Sequence, residues 1–176
     1  MNYRVAVLTL CDKGARGVRE DRSGPTVAQL VCAAGFEVVY QKLLSDDFEP
    51  MQAELARLCD EYVCDLLLTT GGTGFSSRDV TPEATLAVAE RQANGIAEAM
   101  RWHSLAITPR AMLSRGVSVL RKQTLIVNLP GSEKAVREHL SYLLPVLPHA
   151  LGILTGRESE CGDNGAQRIS SAGEAM

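Results

Sequence analysis

Residues 66–85, LLLTTGGTGFSSRDVTPEAT, constrain this chain more than any other stretch: an apolar strand runs straight into a glycine-rich turn, and a carboxylate follows just before a helix. Leu66, Leu67 and Leu68 are consecutive apolar residues with turn signals behind them, the pattern of a strand covered on both faces of a parallel sheet. Gly71, Gly72 and Gly74 carry no Cβ, so the backbone can take positive φ and bring its N–H groups close to a bound group, while Thr69, Thr70 and Thr73 add hydroxyls. Phosphate suits such a cradle. Thr81 is expected as the N-cap of the next helix and Pro82 as its first residue, which leaves Asp79 beside the cradle as a candidate Mg²⁺ ligand. The segment contains neither the Walker phosphate loop nor the GxGxxG dinucleotide fingerprint. A purely structural strand-to-helix turn is the competing reading. The hydroxyls, Arg78 and Asp79 packed around the glycines favour a phosphate ligand.

Strand and helix patterns alternate along the chain, which predicts a three-layer α/β/α fold with a mostly parallel central sheet. Arg4–Leu10 reads as the first strand, and Val27, Leu30, Val31 and Ala34 fall at helical spacing after it, with Ser23 as N-cap and Gly35 as stop. Phe36–Leu44 reads as the second strand and Glu49–Glu61 as the second helix. After the glycine turn, Pro82–Glu90 is helical, Asn94 and Gly95 break the pattern, and Ile96–Ser104 resumes it. Val117–Leu120 and Thr124–Leu129, joined by a short polar link, suit a hairpin and hence one antiparallel strand at the sheet edge. Ser132 caps a helix with Val136, Leu140, Leu143 and Leu144 on its inner face, and Pro145 and Pro148 interrupt or restart the last helical stretch.

At 176 residues, 45% hydrophobic and 22% charged, the chain fits one domain over residues 1–157. Residues 158–176 are polar and read as a disordered tail. No apolar run is long enough to span a bilayer and the N-terminus shows no cleavage-site pattern, so a cytoplasmic protein with no membrane contact is expected. The five cysteines lack CxxC spacing, which leaves free thiols as the default. A net charge of −3 gives no sign of a nucleic-acid surface, so an anionic ligand must be held locally, by amides at helix starts.

In a parallel sheet the ligand sits at the carboxyl ends of the strands, so four loops belong together: Cys11–Ser23, Ser45–Asp47, Gly71–Thr81 and Pro130–Ser132, with Arg78 and Lys134 available to reinforce anion binding. Each residue also has a plainer reading. Asp46 and Asp47 precede a helix and can be N-caps or metal ligands; Asp21 and Ser23 sit at a helix entry, where turn and cap roles suffice. His103 lies at helical spacing from Ile96, Ala99 and Met100, which suits a packed core or interface histidine, and Cys11 suits a structural thiol. No Ser–His or Cys–His arrangement supports a nucleophilic triad.

TTGGTGFSSRDVTPEAT, DRSGP after the first strand and NLPGSEKAV before a late helix together resemble the molybdopterin adenylyltransferase family of molybdenum-cofactor biosynthesis, over about residues 3–155. The resemblance implies that fold and a Mg²⁺- and ATP-dependent reaction in which the terminal phosphate of molybdopterin attacks the α-phosphorus, releasing pyrophosphate. It implies Asp46 and Asp79 as catalytic and Mg²⁺-binding carboxylates. It further implies Gly71, Gly72, Thr73, Gly74, Arg78, Pro130, Gly131 and Ser132 at the nucleotide phosphates, and Asp12, Asp21 and Ser23 at molybdopterin. A homotrimer is implied, and the downstream molybdenum-insertion enzyme is a candidate partner. RDVTPE is intact, as in the active branch, whereas LPGSEKA has Glu133 where the family more usually has proline. Two other classes stay open: a non-catalytic pterin-binding homologue, and a nucleotide-binding scaffold or regulator. Use in tungsten rather than molybdenum enzymes also stays open.

Overall fold

A computed structural model describes residues 2–62 and 64–158. Four strands run parallel: β1 (Arg4–Leu10), β2 (Glu37–Leu44), β3 (Leu66–Thr70) and β6 (Thr124–Leu129). β5 (Ser118–Arg121) lies antiparallel to β6, and the two-residue β4 (Arg91–Gln92) lies antiparallel to β5, giving the order β2-β1-β3-β6-β5-β4. The expected hairpin is present. The sheet ends one strand further out than expected, because the chain between helices α4 (Thr81–Val88) and α5 (Asn94–Leu105) extends along β5 instead of merely breaking a helix. A two-residue strand carries no periodicity for a sequence to show.

Alternation along the strands builds the layers. Leu66 and Leu68 of β3, with Val5 and Val7 of β1, pack on one side against helices α2 (Ser23–Ala33), α5, α6 (Glu133–Leu143) and α7 (Leu147–Leu154). Leu67, Ala6 and Leu8 pack on the other against α3 (Phe48–Asp60) and α4. All three β3 leucines are fully buried, as a strand covered on both faces requires.

Helix starts differ from expectation at α2, at α4 and at α5, where Asn94 and Gly95, expected to break the helical pattern, are the first two residues of the helix. Arg22, not Ser23, occupies the N-cap position of α2, and the capping is done by Asp21, whose Oδ1 accepts from the Gly24 N–H at 2.9 Å and from Ser23 Oγ at 3.2 Å. Thr81 is the first residue of α4, not its cap. Its hydroxyl donates at 3.0 Å to the Gly71 carbonyl, so the helix entry is pinned to the glycine turn by a long-range contact that outcompetes a local one. Ser132 caps α6 as expected, accepting from the Ala135 N–H at 3.2 Å, and Glu133 takes a place in its first turn, paired with Arg137. The short helix α1 (Asp12–Ala15) follows β1, and its N-cap is Cys11, whose Sγ accepts from the Gly14 N–H. The proposed tail lies outside the described residues except for Glu158, which meets His149 at 2.9 Å. Among the described residues no helix is long and apolar enough to cross a membrane.

Candidate active site

β1 lies between β2 and β3 although the chain visits them in the order β1, β2, β3, so the loops leaving β1 and β3 diverge and open a crevice at the carboxyl edge of the sheet. A cleft of about 800 Å³ occupies this place, lined by Leu10 and Cys11 after β1, Asp21 and Ser23 at α2, Asp46 after β2, Gly71, Gly72 and Asp79 after β3, and Gly131 and Ser132 after β6. All four loops singled out by sequence therefore contribute.

The turn after β3 can be made only of glycine. Gly71 has φ +104°, and a Cβ there would stand 2.2 Å from the Leu10 carbonyl oxygen; at Gly72, with φ +62°, it would stand 2.2 Å from Thr81 Oγ1 and 3.2 Å from Asp46 Oδ1. The Gly71 N–H is taken by the Leu129 carbonyl at 3.2 Å, so a phosphate must be met by the amides that follow. Thr70 Oγ1 donates to the Pro130 carbonyl at 2.8 Å, and a Cβ on Gly131 would lie 3.2 Å from Gly71 Cα, which locks the β3 and β6 loops together.

Asp46 and Asp12 hold each other reciprocally. The Asp12 N–H donates to Asp46 Oδ2 at 2.8 Å, and the Asp46 N–H donates to Asp12 Oδ1 at 3.1 Å. Asp46 Oδ1 is buried without a hydrogen-bond partner beside Gly72. Burial raises the Asp46 pKa above its ordinary value, and the like charges of Asp12 and Asp79 add to the rise against the opposing Asp12 amide hydrogen bond and the Arg78 charge. Asp79 sits beyond the turn, its Oδ2 accepting from the Ser76 N–H at 2.9 Å. Neither Asp46 nor Asp47 caps α3 with its side chain: Asp47 holds the N-cap position, yet its carboxylate accepts from Ser45 and Arg78 and not from the helix.

Arg78 is not placed on the cleft wall. Its Nε and Nη2 form a fork on the Asp12 carboxylate, both at 2.9 Å, and Nη2 also reaches Asp47 at 2.8 Å. The guanidinium holds the Asp12 carboxyl at about pKa 2, well below its ordinary value. Asp12 is likewise absent from the cleft wall, and Lys134 projects outward with 83% of its side chain exposed. The cleft draws its cations from Arg19 and Arg22 instead, both of the Cys11–Ser23 loop, of which Arg22 stands in DRSGP and Arg19 in no motif.

Two further residues are not singled out by sequence: Arg115, which lies in no motif, and Asn128, which opens NLPGSEKAV. Arg115 grips the glycine loop from behind, with Nε donating to the Gly74 carbonyl at 2.7 Å and other guanidinium N–H groups donating to Glu83 and to the Asp79 carbonyl. Asn128 on β6 donates to Thr69 and Thr85 at 2.9 and 3.0 Å and accepts from the Val117 N–H, tying β3, α4 and the residue before β5 to one buried amide. Thr73, Gly74 and Pro130 face a second cavity of about 300 Å³ on the far side of the turn, shared with Ser104, Arg110 and His139. His103 is a surface-packing residue, stacked on Tyr142 with ring centroids 4.5 Å apart.

Whether a metal ion suits these residues follows from Asp46. A buried carboxylate oxygen with no donor, under the like charges of Asp12 and Asp79 and with Arg78 engaged on Asp12, has room for a cation. No group of three metal-ligating side chains exists among the described residues, which excludes a resident all-protein cage there. Mg²⁺ takes one or two carboxylates and completes its shell with water and substrate phosphates, so Asp46 and Asp79 fit an ion that arrives with a nucleotide.

Fold and cleft thus define a protein of the three-layer α/β class with an open cleft at the switch point of a mainly parallel sheet. Residues 6–149 match the family model described as "Probable molybdopterin binding domain", and the chain belongs to that family. It is 35% identical over 165 residues to a molybdopterin adenylyltransferase of Helicobacter pylori, covering 93% of this chain and 94% of the relative. It is 44% identical over 140 residues to that of Escherichia coli, covering 78% and 71%. Among solved structures, the molybdopterin biosynthesis enzyme MoaB of Thermus thermophilus superposes with a TM-score of 0.83 at 46% identity, covering 88% of this chain and 97% of that one.

Proposed function

We propose that this chain transfers the adenylyl group of ATP to the terminal phosphate of molybdopterin, releasing pyrophosphate, in the biosynthesis of the molybdenum cofactor. The relatives' names give the reaction class, and one observation carries it to this chain: a buried, unpartnered carboxylate oxygen on Asp46 facing a glycine turn, with Asp79 on the same cleft. ATP occupies the larger cleft, its phosphates against Gly71, Gly72, Gly131 and the N-terminus of α6, where amides and the helix dipole favour negative charge. Arg19 and Arg22 face the same space. Asp46 and Asp79 hold Mg²⁺, which when bound neutralises charge on the phosphates and on the departing pyrophosphate.

The second cavity receives the pterin: Thr73 and Gly74 on its wall directly follow Gly71 and Gly72 on the wall of the larger cleft, so the two ligands adjoin one turn, where their reacting phosphates can meet. Asp21 and Ser23 then stand on the nucleotide side, and Asp12 and Arg78 hold the loops in place. An oxygen of the terminal phosphate attacks the α-phosphorus in line as the bond to the pyrophosphate oxygen breaks. That oxygen is already ionised at neutral pH, so no general base is required and the residues contribute positioning and charge.

The protein works as a cytoplasmic homotrimer. Trp102 on α5 is 79% exposed and Met112 64% exposed, with Leu105, Leu113 and Tyr142 also exposed around them, more apolar surface than scattered single residues leave. Incubating the purified chain with molybdopterin and Mg-ATP tests the activity: a pterin product heavier by one adenylyl group, with pyrophosphate release, is expected. ATP binding without that product identifies a non-catalytic homologue.

A further inference from the structure

The second cavity holds a histidine that the reaction above leaves unused. His139 on α6 is 7% exposed and lines the cavity together with Ser104 of α5. Its Nε2 lies 3.0 Å from Ser104 Oγ, whereas Nδ1 is buried with no hydrogen-bond partner. Burial lowers its pKa below the ordinary histidine value, with Glu138 opposing and His103 assisting, so the ring is neutral at pH 7 and carries one proton.

The position of that proton decides what Ser104 can do. With the proton on Nδ1, a buried N–H would have no acceptor, and Ser104 would use its own proton on Nε2. With the proton on Nε2, the orphan is an unused lone pair, Ser104 Oγ accepts from the ring, and the hydroxyl proton is free. Orphaned buried N–H groups are rarer in native proteins than under-used acceptors, so the second tautomer is favoured. The other groups on the wall agree. Arg101 and Arg110 are donors, Thr108 Oγ1 already accepts from the Arg110 amide and so has its hydroxyl proton to give, and Glu138 is the one carboxylate in the lining.

We infer that His139 is a positioning residue for the pterin substrate: by donating from Nε2 it converts the Ser104 hydroxyl into a hydrogen-bond donor for an oxygen acceptor on the ligand in the second cavity. The inference rests on the proposed assignment of that cavity to the pterin. The acceptor is either the ring carbonyl or an oxygen of the terminal phosphate, which present the same chemistry to a hydroxyl.

Long-range ¹H–¹⁵N NMR of the full chain without ligand reads the tautomer directly, and protonated Nε2 with bare Nδ1 is expected. Protonated Nδ1 overturns the inference whatever the enzyme turns over. Titration with plain pterin and, separately, with inorganic phosphate then identifies the acceptor. The probe that shifts the Ser104 and His139 signals is the group recognised, and silence from both overturns the inference. Ser104→Ala and His139→Phe should each weaken that probe roughly tenfold, the double variant should be no weaker than either single one, and His139→Gln, which keeps an N–H donor, should recover to within about twofold. In turnover the loss should fall on KM for molybdopterin with KM for ATP unchanged. If the unmodified chain makes no adenylylated product, the adenylyl-transfer reading fails while the tautomer and the probe titrations still decide the inference. If product forms and both single variants keep KM for molybdopterin within about twofold of the unmodified chain, the inference fails and the reading stands.

Discussion

Asp46→Asn separates catalysis from folding more sharply than any other substitution in this chain. Asparagine keeps the side chain's shape and its Oδ can still accept from the Asp12 N–H, now made at 2.8 Å, while the charge is lost and the unpartnered Oδ1 becomes an NH₂ group. The folded state raises the Asp46 pKa above its unfolded value of 3.8, so at pH 7 the ionised carboxylate works against folding. That penalty is fully present above the folded pKa and disappears as pH falls through it towards the unfolded one. Removing the carboxylate relieves that charge penalty while the new NH₂ group is itself left unpaired, so the two offset and the apo protein should change in stability by no more than about 1 kcal/mol, the charge part of the difference shrinking as the solution is acidified. Turnover should move the other way: losing one of two carboxylate ligands at the phosphates should slow adenylyl transfer by about two orders of magnitude, or ~2.7 kcal/mol of barrier. Thermal unfolding at pH 7 and pH 4.5, beside product formation at saturating Mg-ATP, measures both arms. Near-normal turnover, or a melting temperature several degrees lower at pH 7, would refute the reasoning.

Arg78→Met should lower kcat roughly tenfold with little change in KM for ATP, because Arg78 holds Asp12 and through it Asp46; a large rise in KM for ATP would instead make Arg78 a phosphate ligand. Gly71→Ala, with a Cβ 2.2 Å from the Leu10 carbonyl oxygen and φ +104°, should cost more than about 3 kcal/mol, whereas Gly17→Ala, at φ +72° in open space, should cost about 1 kcal/mol by chemical denaturation. Light scattering at micromolar concentration should show three copies, and Trp102→Lys should dissociate them; a monomer from the unmodified chain defeats the trimer. His139 has a folded pKa below its unfolded value, so its contribution is intact above about pH 6.5 and declines as pH falls below it; His139→Phe should flatten the loss of stability between pH 7 and pH 5, and an unchanged slope would contradict the buried neutral ring.

Features written in consecutive residues were legible without a structure. The leucine run of β3, the positive-φ glycines after it and the Ser132 cap depend on backbone preference and periodicity, which a chain carries locally. The switch-point rule then gathered four distant loops correctly, because a parallel sheet admits few places for a ligand. Which atoms meet inside that place was another matter. Asp46 and Asp12 are 34 positions apart and Arg78 is 66 from Asp12, and no local propensity states that a guanidinium will choose two carboxylates over a phosphate cradle. Thr81 suits a cap by local rules, yet its hydroxyl bonds to the Gly71 carbonyl, ten residues away. Arg115 and His139 carried no motif and Asn128 was only the first residue of NLPGSEKAV, since an arginine on a carbonyl, an amide bridging two threonines and a histidine on a serine gain meaning only from burial. The sequence by itself determined the layers, the turn and the edge of the sheet that binds. Only the tertiary structure decided which polar groups are satisfied there and which, like Asp46 Oδ1 and His139 Nδ1, are not, because hydrogen-bond satisfaction in a buried site is set by atoms brought together from the whole chain.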